Sequence, residues 1–530
     1  MVSNLSKLNE LINTANYTKA EFYLYELLKQ KPSDYNLNKN LGMVLLAQNK
    51  HQGALKSFEK CYFINSQDTE ILLNLSYLFL KVQDHAQCIR FSEEALSIDN
   101  SFSGVYQNLA NCYLEMLEFT KALDFAEKTI KIRGGIHSEE MLKYDDFLYL
   151  YADILLAIKD ISKFIIFCEG VLNKKFVPEI FLKLLKQDSS KIKAEHIELI
   201  KNTINDYNDI KNNVEKNAKL ASAKICLAEY YNKDKHQSEQ YFIKANEHIA
   251  TMQRAPIYIR QQMYLNLVNY FKNFDDDQIS KKINPSKGQG LIFIVGMPRS
   301  GTTLTESILS VADDTVAGGE KVFFTNNLWS VFSDLSPEQQ LNPDFIEELG
   351  DRYLAIIDLH RNGKKNFTDK MPAYYLYYKF IKLALPGSKF IHVYRNSWDN
   401  AISLFKANYQ DTIIYSSSFF GIATEYSNYS HLMKFWENTS GSAPFLNVAY
   451  EDLVSNTDEM IKNLWDYCKL TGNFSSEKRK SHYANTASQQ QVSQDIYQTS
   501  LKKEEFVGFK EKFYSDMAQQ DKFWQKLNLF

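Results

Sequence analysis

The sequence predicts two fold classes in one chain: an α-helical solenoid through the N-terminal half, then a parallel α/β domain. Three observations carry this. Residues of matched size recur every 34 positions over the first 135 residues. One stretch, LIFIVGMPRSGTTL from Leu291 to Leu304, runs an apolar segment into a glycine loop and restarts at helical spacing. From residue 290 onward, short β-like runs alternate with helical ones, the pattern of a parallel sheet covered on both faces.

The repeat comes first in the chain. Ala20, Ala54, Cys88 and Ala122 are small residues spaced by 34, as are Leu41, Leu75 and Leu109. Gly42, Ser76 and Ala110 follow each of those leucines, and Leu45, Phe79 and Tyr113 come four positions later. Small side chains where two helices cross let the axes approach; large ones fill around them. Two antiparallel helices per 34 residues resembles the tetratricopeptide repeat (TPR), whose units stack because none buries its apolar face alone. We expect TPR-type repeats over 1–135. After Gly134-Gly135 the period blurs, and 136–285 reads as an irregular helical, TPR-like extension. Asp275-Asp276-Asp277 and Pro285-Ser286-Lys287-Gly288 read as a linker. A solenoid arm of this kind is expected to bind a protein or glycan partner; a dimerisation arm giving a homodimer fits the pattern equally.

Composition bounds the function. The 530 residues suffice for two or three domains. A net charge of −3 implies no general attraction to nucleic acid or to an anionic membrane, so any anion site must be local. The six cysteines form no C-x-x-C pair and lie in apolar helical contexts, as reduced core thiols do. The N-terminus has no basic segment followed by an apolar one, and no apolar run reaches membrane-spanning length. A soluble, cytoplasmic protein is expected.

The loop after Val295 has the frame G-x-x-x-x-G-T-T. A strand, a glycine loop and a helix start aim backbone N–H groups and the positive helix end at one spot, which suits a phosphate. A Walker loop would carry Lys after the second glycine; here Thr302 follows Gly301 and the cation is Arg299. No acidic residue closes the strand Phe390 to Tyr394 as a magnesium-binding carboxylate would. An anion held by Arg and Lys, with no metal, is the expectation.

Further strands are expected at Thr315–Ala317, Asn366–Asp369, Lys389–Tyr394 and 444–449. In parallel sheets, ligands sit beyond the carboxyl ends of the strands. The residues just past those ends are Arg299, Glu320, Lys370, Arg395 and Tyr450, so two Arg, one Lys and one carboxylate converge. His392 lies inside a strand and reads as a core residue. The run Tyr374 to Tyr378 and the stretch Tyr409 to Phe420 suit either an acceptor pocket or core packing.

The segments IVGMPRSGTTLTESIL, GGEKVFF, FTDKMPAYY, SKFIHVYRNSWDNAISLF and LNVAYEDLV, in this order, resemble the sulfotransferase fold. They are nearest the tyrosylprotein sulfotransferase branch and cover about 290–530. The resemblance implies 3′-phosphoadenosine-5′-phosphosulfate (PAPS) as donor. It implies that Arg299, Ser300, Gly301, Thr302 and Thr303 grip the 5′-phosphosulfate, and that Arg395 and Ser403 hold the 3′-phosphate. Glu320 becomes the base that takes the acceptor proton, and Lys370 steadies the leaving oxygen, although Asp369 here precedes that lysine where the family's Asp follows it. Tyr450 is a candidate to line the nucleotide. Ser488 and Lys502 are candidates for a late loop closing over it. Spacing alone puts Ser403 about two helical turns beyond Arg395, so both flank one phosphate only if the helix lies across it.

The chemistry agrees with the resemblance. Sulfuryl transfer, like phosphoryl transfer, passes through a loose state in which alignment and charge neutralisation are the main work. The expected function is transfer of a sulfuryl group to an acceptor hydroxyl, protein tyrosine among the acceptors. The alternatives are a P-loop kinase-like enzyme and a TPR scaffold whose second domain is inactive.

Overall fold

The computed structural model describes residues 8–526 except 9, 13, 15, 209, 211–212, 253–256, 334–340, 362, 410–412, 441–443, 481–495 and 497–503. The chain divides into two compact units, Met1–Val171 and Leu172–Phe530.

The first unit is a stack of helix pairs: Tyr35–Ala47 with His51–Ile64, Thr69–Lys81 with His85–Ile98, and Ser103–Glu115 with Phe119–Ile132. The small residues at 20, 54, 88 and 122 are all fully buried. At Gly42, a Cβ would come within 2.7 Å of the Phe58 ring, so a glycine there lets the two helices of the pair close. Aspartates start several helices: Asp34 accepts from Leu37 N–H at 3.0 Å, and Asp68, 34 positions on, accepts from Glu70 N–H at 2.9 Å.

The turn inside each pair repeats by conformation, although not by residue type. Asn49, Gln83 and Leu117, again 34 apart, all have φ near +60°, as does Lys159. In each case the next N–H returns to a carbonyl five residues back, as from Lys50 to Leu45 and from Asp160 to Leu155. Lys159 lies 42 residues after Leu117, so the period has taken an insertion of 8 (42 − 34), located at Gly134-Gly135 and the turn Met141–Lys143. The pair Asp145–Ala157 and Ile161–Leu172 is therefore in register with the others. Tyr151, Ala152 and Leu155 stand at the places of Leu109, Ala110 and Tyr113. Leu117→Gly is expected to stabilise the pair 103–132 by about 1 kcal/mol, because a branched side chain pays for a left-handed φ and Leu117, 41% exposed, is not a core residue. Slower native-state hydrogen exchange across this pair is the measurement.

The second unit is built on a five-stranded, fully parallel sheet in the order β2-β3-β1-β4-β5. Its strands are β1 Leu291–Val295, β2 Thr315–Ala317, β3 Asn366–Asp369, β4 Lys389–Tyr394 and β5 Leu446–Ala449. The fifth starts two residues later than the sequence suggests, and Pro444 has no N–H to give a ladder. All five residues of β1 are buried. Ile292 and Ile294 pack with Ile308, Leu309, Ile391 and Val448 on one face. On the other, Phe293 stacks on Phe390 at 4.9 Å and packs near Phe324, Tyr353 and Tyr374. Burial on both faces explains why β1 is an unbroken apolar run with no alternation.

Helices between 172 and 285 belong to this same unit, and the division at 171/172 differs from the expected boundaries at 135 and 285–290. The reason is packing. Asn246 Nδ2 donates to Phe405 O at 2.8 Å, and Asn408 Nδ2 donates to Ser222 Oγ at 3.3 Å. Phe271 packs edge-on against Phe380 and Trp436. Arg260 Nε donates to the fully buried Glu425 at 2.9 Å, and Tyr264 OH joins the same carboxylate at 2.9 Å. The expected linker at 285–288 is no free tether either. Lys287 pairs with Asp351 at 2.7 Å, Gly387 N–H donates to Lys287 O at 2.8 Å, and a Cβ on Gly288 would press on Leu385 at 2.8 Å. Among the described residues, no helix is long and apolar enough to cross a membrane.

Candidate active site

In the strand order, β1 lies between β3 and β4, and the chain leaves β1 and β4 in opposite directions. The crevice beyond their carboxyl ends is where such sheets bind ligands. The loop after β1 and the residues after β4 and β3 therefore meet there, about 5 Å apart from strand to strand.

The β1 loop is shaped by three residues with positive φ: Gly296, Arg299 (68°) and Gly301 (108°). A Cβ on Gly296 would lie 2.1 Å from Val393 O, and one on Gly301 would lie 2.4 Å from the Tyr450 ring. Both glycines are required by close approach as well as by conformation. The helix Thr302–Leu309 begins at Gly301, with its first bond from Thr305 N–H to Gly301 O at 3.0 Å. Its first turn therefore presents amides and positive dipole to the loop. Thr302 and Thr303 are buried there. Ser300 is fully buried and its hydroxyl has no hydrogen-bond partner among the described residues.

Arg395 and Ser403 come to this loop. Arg299 Nε donates to Ser403 Oγ at 3.3 Å, and Arg395 Nη1 reaches Arg299 O at 3.5 Å. Arg395 is buried, its guanidinium 4.4 Å from the centre of the Tyr450 ring, and Tyr426 OH donates to its carbonyl. Burial lowers its pKa, with the charge of Arg299 adding to the effect against Tyr450, Asp399 and Glu451. The helix carrying Ser403 lies across the loop, held by Asn400 Nδ2 donating to Pro298 O at 2.9 Å. Asn400 was not legible as a site residue in the sequence; only its burial in the structure marks it.

Glu320 and Lys370 form the second half. Lys370 is fully buried and its ammonium is paired with Glu320, which is 41% exposed. Lys370 N–H donates to Gly319 O at 2.8 Å, tying the β2 and β3 ends together. Gly318 is pressed against the Phe367 ring, and Gly319 has φ +66°. The pKa of the Tyr409 phenol is raised mainly by burial, with Arg299 lowering it and Glu320 raising it. Tyr374 to Tyr378 are buried core, with Tyr374 OH accepting from Phe324 N–H at 3.1 Å. His392 is buried between Asn447 and Tyr429, and burial drives its pKa down to about 4, so it is a neutral core residue. Ser488 and Lys502 lie outside the described residues. No group of three or more metal-ligating side chains occurs among the described residues.

Asp369, beside Lys370, is buried, and burial raises its pKa from 3.8 to about 7, opposed by the Tyr353 hydroxyl and by Lys321, and reinforced by Glu306. The fold thus favours its protonated form. Its contribution to stability is lost as pH rises from about 4 through about 7. The wild-type chain is expected to melt higher at pH 5.5 than at pH 8, and Asp369→Asn to narrow that gap; thermal melts at the two pH values decide it.

The family described as the sulfotransferase family matches residues 292–474. An uncharacterized protein of Aquifex aeolicus (strain VF5) is 28% identical in an alignment of 291 residues that covers 51% of this chain and 37% of that protein. The chain thus spans little more than a third of that relative's length. Among solved structures, the sulfotransferase domain of the Synechococcus PCC 7002 olefin synthase aligns at 16% identity and TM-score 0.29, over 45% of this chain and 96% of that one. A tetratricopeptide repeat protein from Parabacteroides merdae ATCC 43184 aligns at 14% identity and TM-score 0.30, over 46% and 92%. The segment that matches the sulfotransferase family, residues 292–474, is the one that holds β1, the glycine loop, Arg299 and Arg395.

Proposed function

We propose that the C-terminal domain transfers the sulfuryl group of PAPS to an acceptor hydroxyl in the cytoplasm, with protein tyrosine as the favoured acceptor and the repeat unit holding the protein or glycan that bears it. One observation carries the reading: Arg299, from one chain segment, and Arg395 and Ser403, from another, join around a glycine loop at the head of a helix. A donor with two separate phosphates needs two cationic grips. The buried Ser300 hydroxyl, with no partner among the described residues, suits one more phosphate oxygen.

The roles follow from charge. The β1 loop amides, Ser300, Thr302, Thr303 and Arg299 take the 5′-phosphosulfate, and Arg395 with Ser403 takes the 3′-phosphate against the Tyr450 ring. Glu320 accepts the proton of the acceptor hydroxyl as its oxygen bonds to sulfur. The bond from sulfur to the bridging oxygen breaks, and its electron pair stays on the 5′-phosphate. Lys370 compensates that charge, exchanging its contact with Glu320 for one with the leaving oxygen.

The test is transfer of labelled sulfate from PAPS into a host lysate and identification of the labelled residues, beside titration with 3′-phosphoadenosine-5′-phosphate (PAP). Arg395→Met is expected to weaken PAP binding about 100-fold, the loss of one charged, bidentate contact. A wild-type chain that fails to bind PAP, or that turns over ATP with magnesium, overturns the reading.

A further inference from the structure

The loop that carries Glu320 is gripped from both sides by buried carboxylates. Glu306 Oε1, on the helix after the β1 loop, accepts from Gly319 N–H at 3.0 Å and from Thr368 Oγ1 at 2.8 Å. Asp369 Oδ1, at the end of β3, accepts from Lys321 N–H at 3.4 Å, and its Oδ2 accepts from Tyr353 OH at 2.6 Å. Both side chains are 1% exposed. The residues just before and just after Glu320 are thus each fixed through their backbone amide.

Burying two carboxylates beside one short loop is costly, and serine or asparagine could satisfy the same amides at less cost. What a carboxyl group adds is room for two donors at once: Glu306 holds Gly319 N–H and the Thr368 hydroxyl, and Asp369 holds Lys321 N–H and the Tyr353 hydroxyl. It also links three segments that have to keep register: the β1-loop helix, the Glu320 loop and the Lys370 strand. A base must be held within about 0.5 Å of its working position, and supporting residues usually do this. Glu320 itself is partly exposed and follows a glycine at φ +66°, and its side chain is paired with the buried Lys370 ammonium, so the amides on either side of it add a backbone hold to that pair.

We infer that Glu306 and Asp369 are positioning residues that set the place of Glu320 relative to Lys370 and the β1 loop. The inference rests on the proposed role of Glu320 as base. Neither carboxylate touches the reacting atoms; each acts through the backbone amide of a residue flanking Glu320.

The experiment uses the full chain with Glu306→Ala, Glu306→Gln and Asp369→Asn. Three quantities are read: kcat and KM for labelled-sulfate transfer from PAPS to p-nitrophenol, PAP affinity, and hydrogen exchange of the peptide 316–322. Glu306→Ala is expected to lower kcat about 100-fold, the effect of misplacing a group by about 1 Å, while KM for PAPS and PAP affinity hold within about twofold. Glu306→Gln, which keeps an acceptor for Gly319 N–H, restores most of that loss, and Asp369→Asn falls between the two. Amide exchange in 316–322 quickens about tenfold in Glu306→Ala and little elsewhere. If Glu306→Ala does not fold, the kcat and exchange of Glu306→Gln and Asp369→Asn carry the test. Unchanged kcat and exchange in the folded variants overturn the inference, as does an equal loss in PAP affinity, which would place Glu306 in donor binding. A wild-type chain that binds no PAP and transfers nothing overturns the role of Glu320, and with it this inference, whatever the exchange shows.

Discussion

Glu320→Gln is expected to lower sulfuryl transfer about 1,000-fold while leaving PAP binding within about twofold. The amide cannot take the acceptor proton, so the acceptor oxygen must attack without a base in place. The amide oxygen can still accept from the Lys370 ammonium, which matters because Lys370 is fully buried. Glu320→Ala would strand that cation and mix a stability defect with the chemical one. Initial rates with labelled PAPS and PAP titration separate the two quantities. Transfer within about tenfold of wild type in Glu320→Gln would remove Glu320 from the role of base.

The second large effect concerns stability. Glu425→Ala is expected to cost about 3–5 kcal/mol, the range for breaking a buried ion pair by removing one member. Glu425 is fully buried on the helix Phe419–Thr439, and its partner Arg260 sits on the helix Ile257–Phe271. Without the carboxylate, the guanidinium and two tyrosine hydroxyls, Tyr264 and Tyr375, lose their common acceptor. The two hydroxyls keep each other at 2.9 Å. For that reason the double variant Arg260→Met with Glu425→Leu is expected to lose only about 1 kcal/mol, since it removes both charges at once. Urea denaturation of the two variants makes the comparison. Equal losses in both would mean that the site's shape, and not its charge pairing, holds these helices on the α/β core.

The repeat was legible because it is written in side-chain size. Residues 20, 54, 88 and 122 are small in the sequence and fully buried in the structure, and the three leucines at 41, 75 and 109 line the same cores. Its register past 135 was not legible. The turn at Lys159 repeats the conformation of Asn49, Gln83 and Leu117, yet four different residue types occupy it, and an eight-residue insertion shifts the register. A left-handed φ is set by the hydrogen bonds closing the turn, and only glycine or asparagine would have signalled it.

The sequence by itself determined the parallel sheet, because short apolar and β-branched runs, each with its own stop, alternate with helical ones. It also determined which residues stand just past the strand ends: Arg299, Glu320, Lys370, Arg395 and Tyr450. Only the tertiary structure decided how they join. Ser403 lies beside Arg299 because its helix crosses the loop, a matter of packing angle that spacing does not encode. Glu306 and Asp369 read as ordinary charges until burial places them around the Glu320 loop. Helices 214–271, which look like more solenoid, are bound into the α/β unit by Asn246, Arg260 and Phe271. Local patterns report the faces of an element; which partner covers a face depends on contacts between residues far apart in the chain, and no local period records those.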